Sequence, residues 1–127
     1  MAGNLTNYLE NKLIDHFLGT TTFTKPATVY VGLFTVAPTD AAGGTEVTGG
    51  SYARQSAAFG AAASGATTNS ANIDFTSMPS ATTVAIGIFD ASTSGNMLLH
   101  GTLTANKTTD AGDTLRIATG SLTISID

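Results

Sequence analysis

The sequence predicts a mainly β protein, an antiparallel β-sandwich of jelly-roll-like type with one amphipathic helix at its N-terminus. Short segments alternate apolar and polar residues, and clusters of Gly, Thr, Ser, Asn and Asp separate them. The 127 residues include 14 glycines and only 11% charged residues. This length fits a single domain over residues 1–127, with the helix at 4–18 and the sandwich at 28–126.

The first element is predicted to be an amphipathic helix over Asn4–Leu18. Asn4 or Thr6 suits the N-cap, and Gly19 predicts a left-handed stop. The helix either packs on the protein's own sheet, which is the commoner use of such a face, or docks on a partner. The apolar stripe consists of Leu5, Leu9, Leu13 and Phe17, widened by Tyr8 and Ile14.

The strand signal is clearest in Thr28–Thr35, where both alternating faces are apolar. We therefore expect a central strand that is covered on both sides. Thr83–Ala91 repeats its Val, Gly and Phe at the same spacing, with a glycine inside each strand. Ala37–Gly50 is predicted to be a loop because of its proline, aspartate and glycine pairs. Further extended segments are predicted at 52–59, 72–76, 96–105, 114–117 and 122–126.

The composition argues against several classes of function. Without cysteine there is no disulfide framework and no thiolate metal site. The net charge is −4 and the five basic residues are dispersed, whereas nucleic-acid binding needs clustered cations. No window approaches the length of a membrane span, and the opening residues have no apolar stretch long enough for a signal peptide. We expect neither a nucleic-acid nor a membrane partner.

The residues that carry chemistry form no catalytic or metal-binding pattern. His16 lies on the predicted helix and His100 is expected to point outward from a strand; neither is near a G-x-S-x-G elbow. The aspartates of the predicted turns lack the spacing of a calcium loop, and no phosphate-binding glycine motif is present. The sequence therefore predicts no enzyme activity, no cofactor and no metal.

A lone arginine and a tyrosine beside a glycine loop stand out at Ser51–Gln55. In a strand, Tyr52 and Arg54 share a face, and such residues often anchor interfaces. The alternative, given equal weight, is internal: Arg54 holds a carboxylate and Tyr52 covers the sheet edge. The candidate protein-interface residues are Tyr8, Leu9, Leu13, Phe17, Tyr52, Arg54 and Gln55.

Several short motifs follow one another along the chain, in Leu5–Leu13, Tyr30–Thr35, Ala37–Asp40, Gly50–Gln55, Phe89–Ala91 and Ala111–Thr114. Their order resembles that of small structural proteins of tailed bacteriophages, often labelled tail-fibre proteins. The resemblance covers essentially the whole chain and implies a non-enzymatic, β-rich component of the virion. It carries no catalytic residues.

Within this family the sequence favours a capsid decoration, or cement, protein, because the chain lacks heptads and shaft repeats. The alternative is a tail-fibre or tail-tip module that attaches to the host. A carbohydrate-binding sandwich is the third hypothesis, although the chain has no tryptophan for stacking on sugars. The expected partners are the major capsid protein or tail components, together with further copies of the chain. The expected location is the virion, after assembly in the host cytoplasm.

Overall fold

The computed structural model describes residues 4–126, and it confirms the predicted mainly β class, with 48% of residues in strands and 9% in helix. The ends of the predicted domain, residues 1–3 and Asp127, lie outside the described residues. The elements are β1 (Asn4–Leu5), α1 (Asn7–Phe17), β2 (Val29–Val36), β3 (Thr45–Glu46), β4 (Gln55–Ala57), β5 (Ala66–Thr68), β6 (Ile73–Met78), β7 (Ala81–Phe89), β8 (Met97–Thr109), β9 (Asp113–Ile117) and β10 (Thr123–Ser125).

Two antiparallel layers form the protein. One layer is a six-stranded sheet in the order β1-β8-β7-β2-β3, with β4 also paired to β2. The other layer consists of two separate two-stranded ladders, β6 with β9 and β5 with β10. The arrangement fits a sandwich in which the second sheet is split in two. Within residues 4–126, no helix is both long and apolar enough to cross a membrane.

The main core fills the space between the layers, where alternate residues of β2 and β7 meet the two ladders. β2 is central, as predicted, and its residues 31–34 are buried on both faces. The core consists of Val31, Leu33, Val47, Ile73, Phe75, Met78, Ile86, Ile88, Leu115, Leu122 and Ile124.

A smaller apolar cluster covers the opposite face of the six-stranded sheet. It contains Phe34, Ala85, Phe89 and Met97, and the rings of Phe34 and Phe89 stack with centroids 6.1 Å apart. The interior glycines predicted in both strands, at positions 32 and 87, are direct register partners. A Cβ on Gly87 would lie 3.0 Å from the Phe34 ring and 3.1 Å from the Phe89 ring. The stacked rings therefore occupy the space that a side chain at this position would need.

The predicted helix boundaries were partly wrong. Asn4–Leu5 pairs with β8 as a short strand, and the helix covers Asn7–Phe17 with Thr6 as its N-cap. Gly19 does not have the positive φ that the predicted left-handed conformation requires. A Cβ on Gly19 would lie 2.9 Å from the carbonyl oxygen of Asp15, so glycine is required there by close packing on the last helical turn.

Three predicted strand boundaries also differ from the structure. β8 runs to Thr109, beyond the predicted 96–105, and contains a bulge that periodicity does not reveal. The predicted loop contains the two-residue strand β3, which is too short to show alternation. Of the predicted 52–59 segment, Gln55–Ala57 is a strand and Phe59 forms an isolated bridge with Asn69. Tyr52 and Arg54 precede the strand, and their side chains bind Glu46.

Candidate protein-interaction surfaces

The start of α1 is fixed to the six-stranded sheet through Thr6, which is 1% exposed. Its hydroxyl donates to the Met97 carbonyl oxygen at 2.7 Å and accepts from the Leu9 N–H at 3.4 Å. Its own N–H donates to the Leu98 carbonyl oxygen at 2.9 Å, and the Asn7 N–H donates to that of Asp40 at 2.8 Å. The first helical turn is thus capped and tied to both β8 and the loop after β2.

The apolar stripe of α1 becomes progressively more exposed along the helix. Leu9 is buried at 8% exposure and Leu13 is half-buried, but Phe17 is 74% exposed. Ile14 and Leu18 are 57% and 84% exposed. We call Ile14, Phe17 and Leu18 the helix end. The first half of the helix packs on the protein's own sheet, as the first alternative predicted, and the second half presents uncovered apolar side chains. Docking of the helix on a partner stays a prediction.

The segment after the helix folds back toward it at one point. The Phe23 N–H donates to Nδ1 of His16 at 3.1 Å. Most of residues 20–28 are exposed. Tyr8, on the first turn, is half-buried, and the Lys12 ammonium lies 5.6 Å from its ring centroid. The helix end and this segment are therefore largely open to solvent.

A second group of predicted residues is used internally. We call Glu46, Tyr52, Arg54 and Phe89 the Arg54 network. Arg54 binds Glu46 with two parallel hydrogen bonds, Nε to Oε2 at 3.0 Å and Nη2 to Oε1 at 2.9 Å. The Arg54 side chain is 10% exposed, and its guanidinium carbon lies 3.4 Å from the Phe89 ring centroid. Such a bidentate pair stacked on a ring is a geometry that lysine does not reproduce.

Arg54 also holds the loop that joins β7 to β8. Its Nη1 donates to the carbonyl oxygens of Ala91 at 3.1 Å and Ser94 at 2.8 Å. Asp90 braces the same loop, because its Oδ1 accepts from the Asn96 N–H at 2.7 Å. The guanidinium thus links the β3 carboxylate, an aromatic ring of β7 and the β7–β8 loop.

Tyr52 completes the edge of β2 between β3 and β4. Its hydroxyl accepts from the Leu33 N–H at 2.8 Å and donates to Oε2 of Glu46 at 2.7 Å. Its ring stacks on Phe75 with centroids 6.0 Å apart. Burial raises the pKa of the Tyr52 phenol well above its usual range, and the bond to the Glu46 carboxylate adds to that rise.

The internal alternative for Tyr52 and Arg54 is therefore present in the structure, and their role at an interface stays a prediction. Gln55 pairs with Val31 in the β2–β4 ladder, and its amide donates to the Ala53 carbonyl oxygen at 3.0 Å. A Cβ on Gly32 would lie 2.9 Å from Oε2 of Glu46, so the strand glycine also makes room for this network. Spacing along the chain does not reveal that Glu46 is the carboxylate, because it lies in the predicted loop.

The prediction that His100 points outward was wrong. The residue is 9% exposed, and its Nε2 lies 2.9 Å from Oδ1 of Asp40. Leu99 packs against the main core, so the next residue along β8 faces the covered opposite side of the sheet. Within residues 4–126, neither histidine is hydrogen-bonded to both a serine and a carboxylate, and no group of three potential metal ligands occurs.

The fold and these surfaces define a β-rich protein whose distinctive side chains make contacts within the chain or are left open for contacts with other proteins. Residues 4–125 match the model of the family described as podophage GP4 fiber I protein gp80, and the chain belongs to this family. The predicted resemblance to phage tail-fibre structural proteins is confirmed. No curated protein matches the chain. The chain is therefore a structural protein of the phage fibre type, and the family implies a place in the virion.

Proposed function

We propose that the chain is a non-enzymatic subunit of a tail fibre in a podophage virion, and that it works by binding neighbouring virion proteins. The family match over residues 4–125 carries this proposal. It favours the tail-fibre alternative over the capsid decoration protein preferred from the sequence, for which the family gives no support. A compact chain suits a fibre when many copies join, so the lack of heptads does not oppose this role.

The contact surface in this proposal is the helix end. An exposed apolar patch on a small protein commonly marks an interaction site. Here Ile14, Phe17 and Leu18 lie together at the end of a helix whose start is anchored by Thr6. Tyr8 and Leu13, both half-buried, border the patch, whereas Leu9 is covered by the protein itself. Among the predicted interface residues, Phe17 is therefore the one that we assign to a partner.

The glycan hypothesis receives less support from the geometry. All three tyrosines are half-buried, and the Tyr52 hydroxyl is already bonded on both sides. A sugar platform needs an open aromatic face. Phe17 is exposed, but the His16 ring packs edge-on with it, with centroids 5.1 Å apart, and its neighbours Ile14 and Leu18 are exposed aliphatic residues, which suits a protein surface better.

Labelling of intact virions tests the fibre position. Gold-conjugated antibodies against this chain should decorate the fibres, and a quantitative gel should give a copy number that is a whole multiple of the fibre number. Hundreds of copies per particle with label spread over the head would overturn the proposal and restore the capsid lattice.

Incorporation tests the contact surface. Virions produced with Phe17→Ser should contain at least tenfold less of the chain than virions with Val36→Ser, a control at an apolar residue that is also exposed (56%) but lies in β2. Equal incorporation of the two variants would remove the helix end from the proposal.

A further inference from the structure

A cavity of about 310 Å³ opens between the two layers, beside the second half of β8. Its floor is buried and mostly apolar, and its rim is exposed. The floor includes Leu33, Thr83, Ile86, Leu115 and Leu122, and the rim includes Thr104, Ala105, Lys107, Arg116, Ala118 and Ser121. This volume lies at the low end of ligand pockets and suits one or two large side chains better than an extended ligand.

The cavity has a local cause in the β7–β8 ladder. The register passes from Thr83 opposite Lys107 to Ala85 opposite Thr102, so residues 103–106 of β8 bulge out of the sheet. Alternation slips at the same place: Ala81 and Ile86 both pack on the main core, while Val84 packs on the opposite cluster. Thr83 therefore faces the interior of the sandwich.

Thr83 lies at the base of this cavity, beneath the residues that open to solvent. It is 0% exposed, and its hydroxyl has no hydrogen-bond partner among the described residues. Most buried polar side-chain atoms have a hydrogen-bond partner, so an unpartnered buried hydroxyl is uncommon. The cavity thus has a buried, mostly apolar floor and lies beside the bulge of β8.

The helix end has the size, polarity and charge that match this pocket. Phe17 and Leu18 are the most exposed large apolar side chains among the described residues. The negative charge of the neighbouring Asp15 and the partial negative charge of the helix C-terminus are complementary to the positive charge of Lys107 on the rim. Neither Asp15 nor Lys107 forms an ion pair within residues 4–126.

The helix end and the cavity lie at different places on one chain. The helix is anchored at the start of β8, through Met97 and Leu98, whereas the pocket lies beside residues 103–107 of that strand and opens between the layers. Two complementary patches at different positions produce a head-to-tail contact, which repeats to give a ring or a filament.

We infer that the helix end of one copy inserts Phe17 and Leu18 into the β8 cavity of a second copy, with Asp15 beside the partner's Lys107. The inference rests on the proposed function, because it names the partner of the helix end. The same contact repeated from copy to copy builds an assembly from a compact subunit without a coiled-coil shaft.

Two single variants of the full-length chain separate the two halves of this contact. Phe17→Ser removes the largest side chain of the helix end and leaves the cavity open. Ala118→Trp blocks the exposed rim of the cavity and leaves the helix end intact. The matched controls are Val36→Ser and Ala62→Trp, since Val36 and Ala62 are exposed and line no part of the cavity. The measurement is the mass in solution as a function of concentration, by light scattering or sedimentation.

The wild-type chain and both controls should associate, while Phe17→Ser and Ala118→Trp should each associate at least tenfold more weakly. The decisive sample is an equal mixture of these two variants, which should give a complex of two chains and no larger species. A mixture that stays monomeric overturns the inference, as does association of Ala118→Trp equal to that of the wild type. The second result would mean that helix ends pair with each other.

The experiment can still be interpreted when one variant fails to fold. Ser121→Trp is a second plug, at another exposed rim residue, and melting curves of every variant identify an unfolded one. Failure here leaves the fibre position to the labelling of virions. Conversely, label on the head together with the two-chain complex would overturn the fibre role and retain the contact.

Discussion

The Arg54 network and the helix end each contain predicted interface candidates, Tyr52 and Arg54 in the first and Phe17 in the second, yet the fold places them in opposite environments. Arg54 and Tyr52 direct every polar group toward partners in their own chain, and the Arg54 side chain is only 10% exposed. Phe17 and Leu18 leave most of their apolar surface in solvent. Residue type thus indicates which side chains can anchor a contact. Whether they stabilise the fold or remain open to a partner depends on where the complementary groups lie.

Among the variants, Arg54→Ala should have the largest effect on stability. It leaves the Glu46 carboxylate in a largely covered site without its cation and frees the β7–β8 loop, so we expect a loss of about 3 kcal/mol in unfolding free energy. Urea unfolding followed by circular dichroism measures it. The control is Arg116→Ala, which removes an equally bidentate but exposed pair with Asp74 and should change stability little. An equally small loss of stability in the two variants would show that Arg54 does not stabilise the fold. Reduced binding of Arg54→Ala to virions would then make Arg54 an interface anchor.

Gly32→Ala should have the next largest effect. The added Cβ would meet Oε2 of Glu46 at 2.9 Å and the Phe89 ring at 3.1 Å, both members of the Arg54 network. Crowding of this kind costs about 2 kcal/mol. Gly60→Ala is the matched control, because its nearest contact would be 3.9 Å away and its φ is ordinary. A melting temperature of Gly32→Ala as high as that of Gly60→Ala would mean that the network yields easily to an extra methyl group.

Tyr52→Phe should cost about 1 kcal/mol near neutral pH, because the Leu33 N–H loses its acceptor. The raised pKa adds a pH signature. The neutral phenol is favoured in the folded state, so its stabilising effect is complete below the unfolded value of about 10 and declines as pH rises above it. The stability difference between wild type and Tyr52→Phe should therefore narrow above about pH 10. Parallel stability curves across that range would contradict the burial of the hydroxyl.

The fold was largely predictable because its signals are local. Period-two alternation located β2, β7 and the strands after them, and four-residue spacing located the helix. The Arg54 network was only half predictable: Tyr52 and Arg54 stood out, but Glu46 lies in a two-residue strand with no periodic signal. The β8 bulge and its cavity depend on the register between strands, which alternation does not determine. His100 was misplaced for a similar reason, since the loop and helix that cover its face are distant in sequence.

The smallest expected effect on stability belongs to the helix end. Phe17→Ser should change the unfolding free energy by no more than about 0.5 kcal/mol, because the side chain is 74% exposed. Leu9 lies on the same helix but is buried, so Leu9→Ala should lower the unfolding free energy by about 2 kcal/mol or more and serves as the positive control. Both are measured by urea unfolding at a concentration low enough to keep the chain monomeric.

The contrast becomes informative when the same two variants are compared at high concentration. A contact between copies adds stability only to the associated form, so the melting temperature of the wild type should rise with concentration, while that of Phe17→Ser should stay constant. A melting temperature of Phe17→Ser that rises in parallel with the wild type would place the association elsewhere on the surface. A large loss of stability at low concentration would instead show that Phe17 supports the fold, and the distinction between the helix end and the Arg54 network would disappear.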